Sequence, residues 1–269
     1  MMRSRFGLFG LAAMLLSASC TKDEAAQTAD WNRNVENVQK HAAKFPSFKG
    51  VFDQRVSDAQ KAFDEAKGVS DKSARADAMG AANRTLNDLL PPFDAYDAAS
   101  KQLSDTIVKH STLPPALTPV LDSAKTVQTT AAANIAAAVP TNVGEAKAKV
   151  EENTAMLKSA SDALTSTDTY VVSQKTLADL MADKDIQNLP AAKVNPLMDA
   201  AKAAQTSAAD QVAKANKSNP AEMKMAVAAA ANTLAQAAEP LKALKPAPVA
   251  TASKDSKEKP EAAAKGKKK

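Results

Sequence analysis

Two similar stretches of the chain decide the fold: PVLDSAKTVQTTAAANIAAA at residues 119–138 and PLMDAAKAAQTSAADQVAKA at residues 196–215. Each opens with Pro, two apolar residues and Asp, and each continues with Ala-Lys and then Gln at the same spacing. Apolar or small residues recur in both at steps of three and four: Val120, Ala124, Val127, Ala131 and Ile135 in the first, Leu197, Ala201, Ala204, Ala208 and Val212 in the second. This period predicts two amphipathic helices of the same kind.

A related segment, GVFDQRVSDAQKAFDEA at residues 50–66, precedes them and suggests a threefold repeat. The aligned aspartates Asp53, Asp122 and Asp199 are 69 and 77 residues apart, and Asn83, Asn153 and Asn232 follow them by 30, 31 and 33 residues. Agreement in order and spacing indicates internal repetition. Chance similarity between Ala-rich helices is the alternative interpretation.

Each unit reads as a connecting helix, an apolar-Pro break, a long helix, a polar turn and a second long helix. The turns fall at 67–73, 139–145 and 216–222, and Ser218 or Asn219 before Pro220 is a helix start. Pro91-Pro92 predicts a kink or short break. We therefore predict an all-α fold, an antiparallel helical bundle or short array of about three helical-hairpin repeats, with units near 30–91, 92–166 and 167–245.

Composition agrees with close helix packing, since Ala is abundant and aromatic residues are only 4% of the 269 residues. A single cysteine permits no intramolecular disulfide. The formal charge of +5 lies mainly in the two arginines of the first five residues and in the C-terminal lysines. The body between them is close to neutral, which gives no reason to expect nucleic acid as a partner.

The N-terminus has the three parts of a secretory signal peptide. Arg3 and Arg5 give a basic start, residues 6–16 are apolar or small, and small residues continue to Cys20. The apolar run is about half of the ~20 residues that a spanning helix needs. We expect residues 1–19 to be a removed signal peptide.

The stretch LLSASC at 15–20 resembles the lipobox of bacterial lipoproteins, although Ser17 stands where Leu is usual. The resemblance implies cleavage after Ser19 and a diacylglycerol and an N-acyl chain on Cys20, with no other cofactor. Thr21 in place of Asp implies the outer membrane, more at its periplasmic face than at the cell surface. Residues 20–29 are then predicted to be the lipidated cysteine and a polar tether.

The C-terminal residues 246–269 are rich in Lys, Pro and Ala, and residues 250–269 carry seven Lys against three acidic residues. Such a segment buries too little apolar surface to fold and is predicted to be disordered. Its charge suits an anionic surface of lipid headgroups or cell-wall polymer. A solubilising tail without a dedicated target is the alternative.

The sequence holds no recognisable catalytic pattern. His41 and His110 are expected to be surface histidines near helix ends, without a second ligand at metal spacing. There is no Gly-x-Ser-x-Gly elbow and no phosphate-binding glycine loop. The repeated aspartates fall near predicted helix starts, where a carboxylate stabilises the dipole. We expect no enzyme, no catalytic residue and no metal site, and the sequence identifies no ligand-binding residue.

Two functions remain. The first is a membrane-anchored, non-enzymatic helical scaffold that binds another envelope protein. The second is a periplasmic ligand-binding or chaperone-like protein that holds an apolar substrate between helices. Nearly all aromatic residues of the body lie in its first third, namely Trp31, Phe45, Phe48, Phe52, Phe63, Phe93 and Tyr96. They form either a bulkier core, which favours the scaffold, or an aromatic-lined groove, which favours the binder.

Overall fold

The computed structural model describes residues 23–245. The signal peptide, Ser19, Cys20 and the tail 246–269 lie outside the described residues. The α-helices are α1 (Glu24–Lys44), α2 (Lys49–Lys67), α3 (Lys72–Asn87), α4 (Leu90–Lys109), α5 (Thr118–Ala137), α6 (Val143–Met181), the single turn α7 (Lys184–Gln187), α8 (Ala191–Lys214) and α9 (Pro220–Lys242). Residues 23–245 contain no strand, and the fold is an all-α bundle.

The three predicted polar turns at 67–73, 139–145 and 216–222 are confirmed to within one residue, because α2–α3, α5–α6 and α8–α9 are joined by residues 68–71, 138–142 and 215–219. Short 3₁₀ turns at Pro46–Phe48 and Pro115–Leu117 precede α2 and α5. The Asn219 side chain accepts from the Glu222 N–H at 3.2 Å and Pro220 follows at the first helical position, so the predicted start of α9 is confirmed.

The predicted break at Pro91-Pro92 is confirmed and lies slightly earlier. Helix α3 ends at Asn87, and α4 begins at Leu90 with both prolines in its first turn. Proline lacks an N–H, and first-turn N–H groups have no intrahelical partner, so both prolines are tolerated there.

The body begins earlier than the sequence predicted. Residues 24–29, assigned to a polar tether within 20–29, form the first turns of α1. The Asp23 side chain caps this helix by accepting from the Ala26 N–H at 2.8 Å. Contacts with α3, distant in sequence, stabilise these turns, and a polar local sequence does not reveal them.

The described residues divide into two compact units. Unit 1 comprises 23–167 and 215–226, and unit 2 comprises 168–214 and 227–245. Helix α6 is 39 residues long and is continuous through Thr167. The predicted boundary between the second and third repeats lies at that residue. The division of the chain into three repeats stays a prediction.

Unit 1 packs α1 against α2 and α3, and α4 against α5. The apolar stripe predicted for α5 faces inward, and Val120, Ala124, Val127, Ala131 and Ile135 are all buried. Phe48, Phe52, Ala59 and Phe63, at or within α2, are buried as well. Two polar contacts join residues 215–226 to the rest of unit 1. The Ser123 hydroxyl donates to the Lys217 carbonyl at 2.5 Å, and Lys224 pairs with Asp162 at 2.8 Å.

Unit 2 has a core of mainly aliphatic side chains with one buried aromatic residue, Tyr170. Its buried residues include Leu177, Leu180, Ile186, Val194, Ala201, Ala208, Val212, Val227, Leu234 and Leu241. Asp183 caps α7 by accepting from the Asp185 N–H at 2.9 Å and pairs with Lys245 at 2.6 Å. The pKa of the Asp183 carboxyl is lowered, most strongly by the hydrogen bond from the Lys245 ammonium and further by the Asp185 N–H.

Candidate interaction surface

The seven aromatic side chains of the first third form a core, as the simpler of the two sequence interpretations predicted. Each is at most 7% exposed. Phe93 lies at the centre, with ring centroids of Phe45, Phe48 and Phe52 at 4.9, 5.1 and 4.9 Å. Trp31 stacks on Phe63 at 4.5 Å. Rings at these separations contact one another directly.

His41 lies near the end of α1, as predicted. One ring nitrogen is 2.9 Å from the Asn37 carbonyl and the other 2.9 Å from the Asp94 carboxylate on α4. The imidazole is 17% exposed and therefore only partly at the surface. It links two helices of unit 1.

The prediction that His110 is a surface histidine is wrong. It does end α4, but it is only 4% exposed. Its Nδ1 lies 2.9 Å from the Thr106 carbonyl one turn earlier. Within residues 23–245, no three His, Cys, Asp or Glu side chains are grouped to hold a metal ion.

The repeated aspartates Asp53, Asp122 and Asp199 are exposed. Asp53 pairs with Lys49 within the first turns of α2, and Asp122 has the equivalent place in α5. Asp199 lies further along its helix, because α8 begins a turn earlier than the alignment implies, and pairs with Lys202 at 3.7 Å. The structure does not bring the three carboxylates together within either unit.

Two of the repeated asparagines are buried. The Asn83 amide donates to the Gln27 carbonyl at 3.0 Å and accepts from Asn34 at 3.3 Å. Asn153 accepts from the Asn134 amide at 3.0 Å. The third, Asn232, is exposed. The two buried amides join helices of unit 1, Asn83 joining α3 to α1 and Asn153 joining α6 to α5.

An uncharged exposed surface surrounds the α5–α6 turn, and we call it the turn surface. No charged residue occurs from 126 to 144. Its exposed apolar residues are Ala132, Ala133, Ala136, Ala137 and Val139, and the polar Asn134 is exposed among them. Val139 is 87% exposed, more than the other exposed large apolar side chains of residues 23–245, which are Val108 at 71%, Met225 at 66% and Val172 at 65%.

A recess of about 250 Å³ borders the turn surface between Pro140 and the first turns of α6. It is lined by Ala138, Val139, Pro140, Glu145, Ala148, Lys149 and Glu152. The turn surface thus has an apolar centre with charged residues along one edge, the usual composition of a protein-binding patch.

Hydrogen bonds fix the conformation of this turn. Glu145 accepts from the backbone N–H and the hydroxyl of Thr141 at 2.8 and 2.9 Å, while Asn142 caps α6 by accepting from the Glu145 N–H at 2.9 Å. The N–H and hydroxyl of Thr141 lower the pKa of the Glu145 carboxyl. The reciprocal arrangement is similar to a capping box, except that Glu145 accepts from Thr141, the residue before the cap Asn142.

The turn surface was not among the features predicted from the sequence. Two signals for it were visible: no charge occurs over 126–144, and the predicted apolar stripe of α5 leaves Ala132, Ala133, Ala136 and Ala137 outside it. Among residues 23–245, no helix combines the length and apolar character needed to span a bilayer. No protein-family model, curated protein or solved structure matches the chain.

Proposed function

We propose that this protein is a lipid-anchored, non-enzymatic scaffold of the bacterial cell envelope. The observation that carries the proposal is Cys20, the sole cysteine, at the end of an apolar run with small residues before it. Cleavage after Ser19 and acylation of Cys20 would anchor the chain, because two or more acyl chains hold a protein on a bilayer almost permanently.

The packed body supports a scaffold over a ligand binder. The aromatic rings that could have lined a groove in unit 1 are buried against one another. The turn surface offers instead an exposed apolar patch on a fixed turn, which suits another folded envelope protein. By the resemblance, the location is the periplasmic face of the outer membrane, and the Lys-rich tail adds attraction to anionic headgroups or cell-wall polymer.

Replacement of the acylated residue tests the anchor. Cys20→Ala should move the protein from the membrane fraction to the soluble or unprocessed pool. Ser17→Leu is the matched control, because it gives the more usual lipobox and should leave the protein anchored. Mass spectrometry of the mature N-terminus should show acylated Cys20 in the wild type. An unmodified residue 20 would overturn the proposal.

Site-specific photo-crosslinking in intact cells tests the scaffold. A crosslinker at position 139 should give one dominant product with a folded envelope protein. The same crosslinker at Lys61, exposed on a charged face of α2, is the control and should not give that product. Products with many unfolded proteins from position 139 would instead favour the chaperone-like function.

A further inference from the structure

The distance between Cys20 and the folded body is short. Helix α1 begins at Glu24, so only Thr21, Lys22 and Asp23 separate the body from the cysteine. Even fully extended, the four Cα–Cα steps from residue 20 to residue 24 span at most about 14 Å. The start of α1 therefore cannot lie far from Cys20.

The first turns of α1 are held in place by α3. The Glu24 carboxylate pairs with the Arg75 guanidinium at 2.7 Å, and the Asn83 amide donates to the Gln27 carbonyl at 3.0 Å and to its side-chain oxygen at 2.9 Å. Lengthening the connection by unwinding α1 would break these contacts as well as the Asp23 cap. The short connection is thus a stable feature of unit 1.

The α2–α3 turn lies at the same end of unit 1. Arg75, which pairs with Glu24, also donates to the Val69 carbonyl of this turn at 2.8 Å. Exposed residues here are polar or charged: Lys67 and Lys72 are positive, Asp71 is negative, and Gly68, Ser70 and Ser73 carry no charge. Such side chains suit the phosphate-bearing headgroup layer and not the acyl interior. We call α1's first turn and residues 67–73 the anchor end.

We propose that the anchor end rests on the lipid headgroups of the bilayer that holds Cys20. This inference rests on the proposed acylation of that residue. The bilayer is the surface that the anchor end contacts, because the three-residue connection keeps this end close to the acyl chains. The glycerol that carries those chains lies at headgroup depth. Unit 1 is then held with one defined end toward the membrane.

The turn surface lies at the other end of unit 1. Helix α1 has 21 residues and is about 30 Å long. Just after its C-terminus, the Ser47 hydroxyl donates to the Ile135 carbonyl near the end of α5 at 2.6 Å, which places the α5–α6 turn beside that end of α1. The anchor thus presents Val139 away from the membrane, toward a protein partner.

Fluorescence quenching by headgroup-labelled lipid tests the orientation. The full-length lipidated protein is reconstituted in vesicles containing phosphatidylcholine with a nitroxide on its headgroup. A fluorophore is attached to Ser70→Cys at the anchor end or to Val139→Cys at the turn surface, since acylated Cys20 offers no competing thiol. Position 70 should be quenched severalfold more than position 139, and Ser73→Cys should behave like position 70.

A tether insertion provides the matched control. A Gly/Ser segment of about 12 residues inserted between Thr21 and Lys22 has a root-mean-square span of about 20 Å and should largely remove the difference. Equal quenching at positions 70 and 139 in the acylated protein would overturn the orientation alone. A difference in quenching between the two positions that remains after the Gly/Ser insertion would also overturn it. Absence of acylation in mass spectrometry would overturn the proposed function itself.

Discussion

Asn83 and Asn232 occupy corresponding places in the predicted repeat, yet the structure gives them different surroundings. Asn83 is 6% exposed and bonds to Gln27 and Asn34 of α1, whereas Asn232 is exposed on α9. The sequence spacing identified both residues. It could not distinguish them, because burial at position 83 depends on α1, whose packing on α3 is a non-local event.

Asn83→Ala should lower the free energy of unfolding by about 1–3 kcal/mol, because it removes the partner of the buried Asn34 amide and of the part-buried Gln27 oxygens. Asn232→Ala is the control and should change it by less than about 0.5 kcal/mol. Urea unfolding followed by far-UV circular dichroism measures both. Equal effects at the two positions would show that the amide network of α1 and α3 does not stabilise unit 1.

Glu145 makes stability depend on pH at the α5–α6 turn. Its pKa in the folded chain is lowered by the Thr141 donors, so its contribution is present above the unfolded value of about 4.3 and is lost as pH falls through the folded value. Glu145→Gln should lower the melting temperature at neutral pH, and the gap to wild type should close in acid. Glu151→Gln, on the exposed face of the same helix, should show no such closing gap.

Helix α4 has one feature that its own sequence predicts and another that depends on residues distant in the chain. Pro91-Pro92 predicted the break before this helix, since proline chemistry is local. The packing of Phe93 against rings from the α1 end, the 3₁₀ turn and α2 is not local, and the sequence left a core and a groove as alternatives. The first turns of α1 were predicted to be a tether for the same reason, because the residues of α3 that they contact lie about fifty positions later.

Truncation of the central ring tests whether the aromatic residues act as one core. Phe93 is fully buried between Phe45, Phe48 and Phe52. Phe93→Ala should cost about 3–5 kcal/mol, and Phe93→Leu, which retains most of the volume, should cost less than about 1.5 kcal/mol. Thermal unfolding of both variants gives the comparison. If Phe93→Ala does not change the stability and the wild-type protein binds small apolar compounds, the aromatic residues line a groove instead.

At the scale of the whole molecule, periodicity predicted the all-α class and the three polar turns, because amphipathic spacing and turn residues act locally. The continuity of α6 through Thr167 was not predictable in the same way, since Ala, Ser and Thr near that residue permit either a helix or a break. The turn surface also escaped prediction. Periodicity gave the buried side of α5, but it could not show that no neighbouring helix within residues 23–245 covers the alanines on the opposite side.

The charge distribution of the whole chain predicts a second, weaker attachment. Residues 250–269 carry a net charge of +4, with seven Lys and three acidic residues, while the body is nearly neutral. A form lacking residues 1–20 should therefore bind anionic vesicles at low salt through its tail, at roughly 1 kcal/mol per lysine near the surface. Replacing the seven lysines with Gln should remove this binding in a sedimentation assay.

A scrambled tail of the same composition separates electrostatics from recognition. If attraction to the anionic surface is the cause, the scrambled tail should bind as the native one does, and added salt should release both because it screens exposed charges. Binding that survives the lysine replacement would contradict the electrostatic attachment. Loss of binding in the scrambled form alone would show that the order of residues matters and that the tail has a specific target.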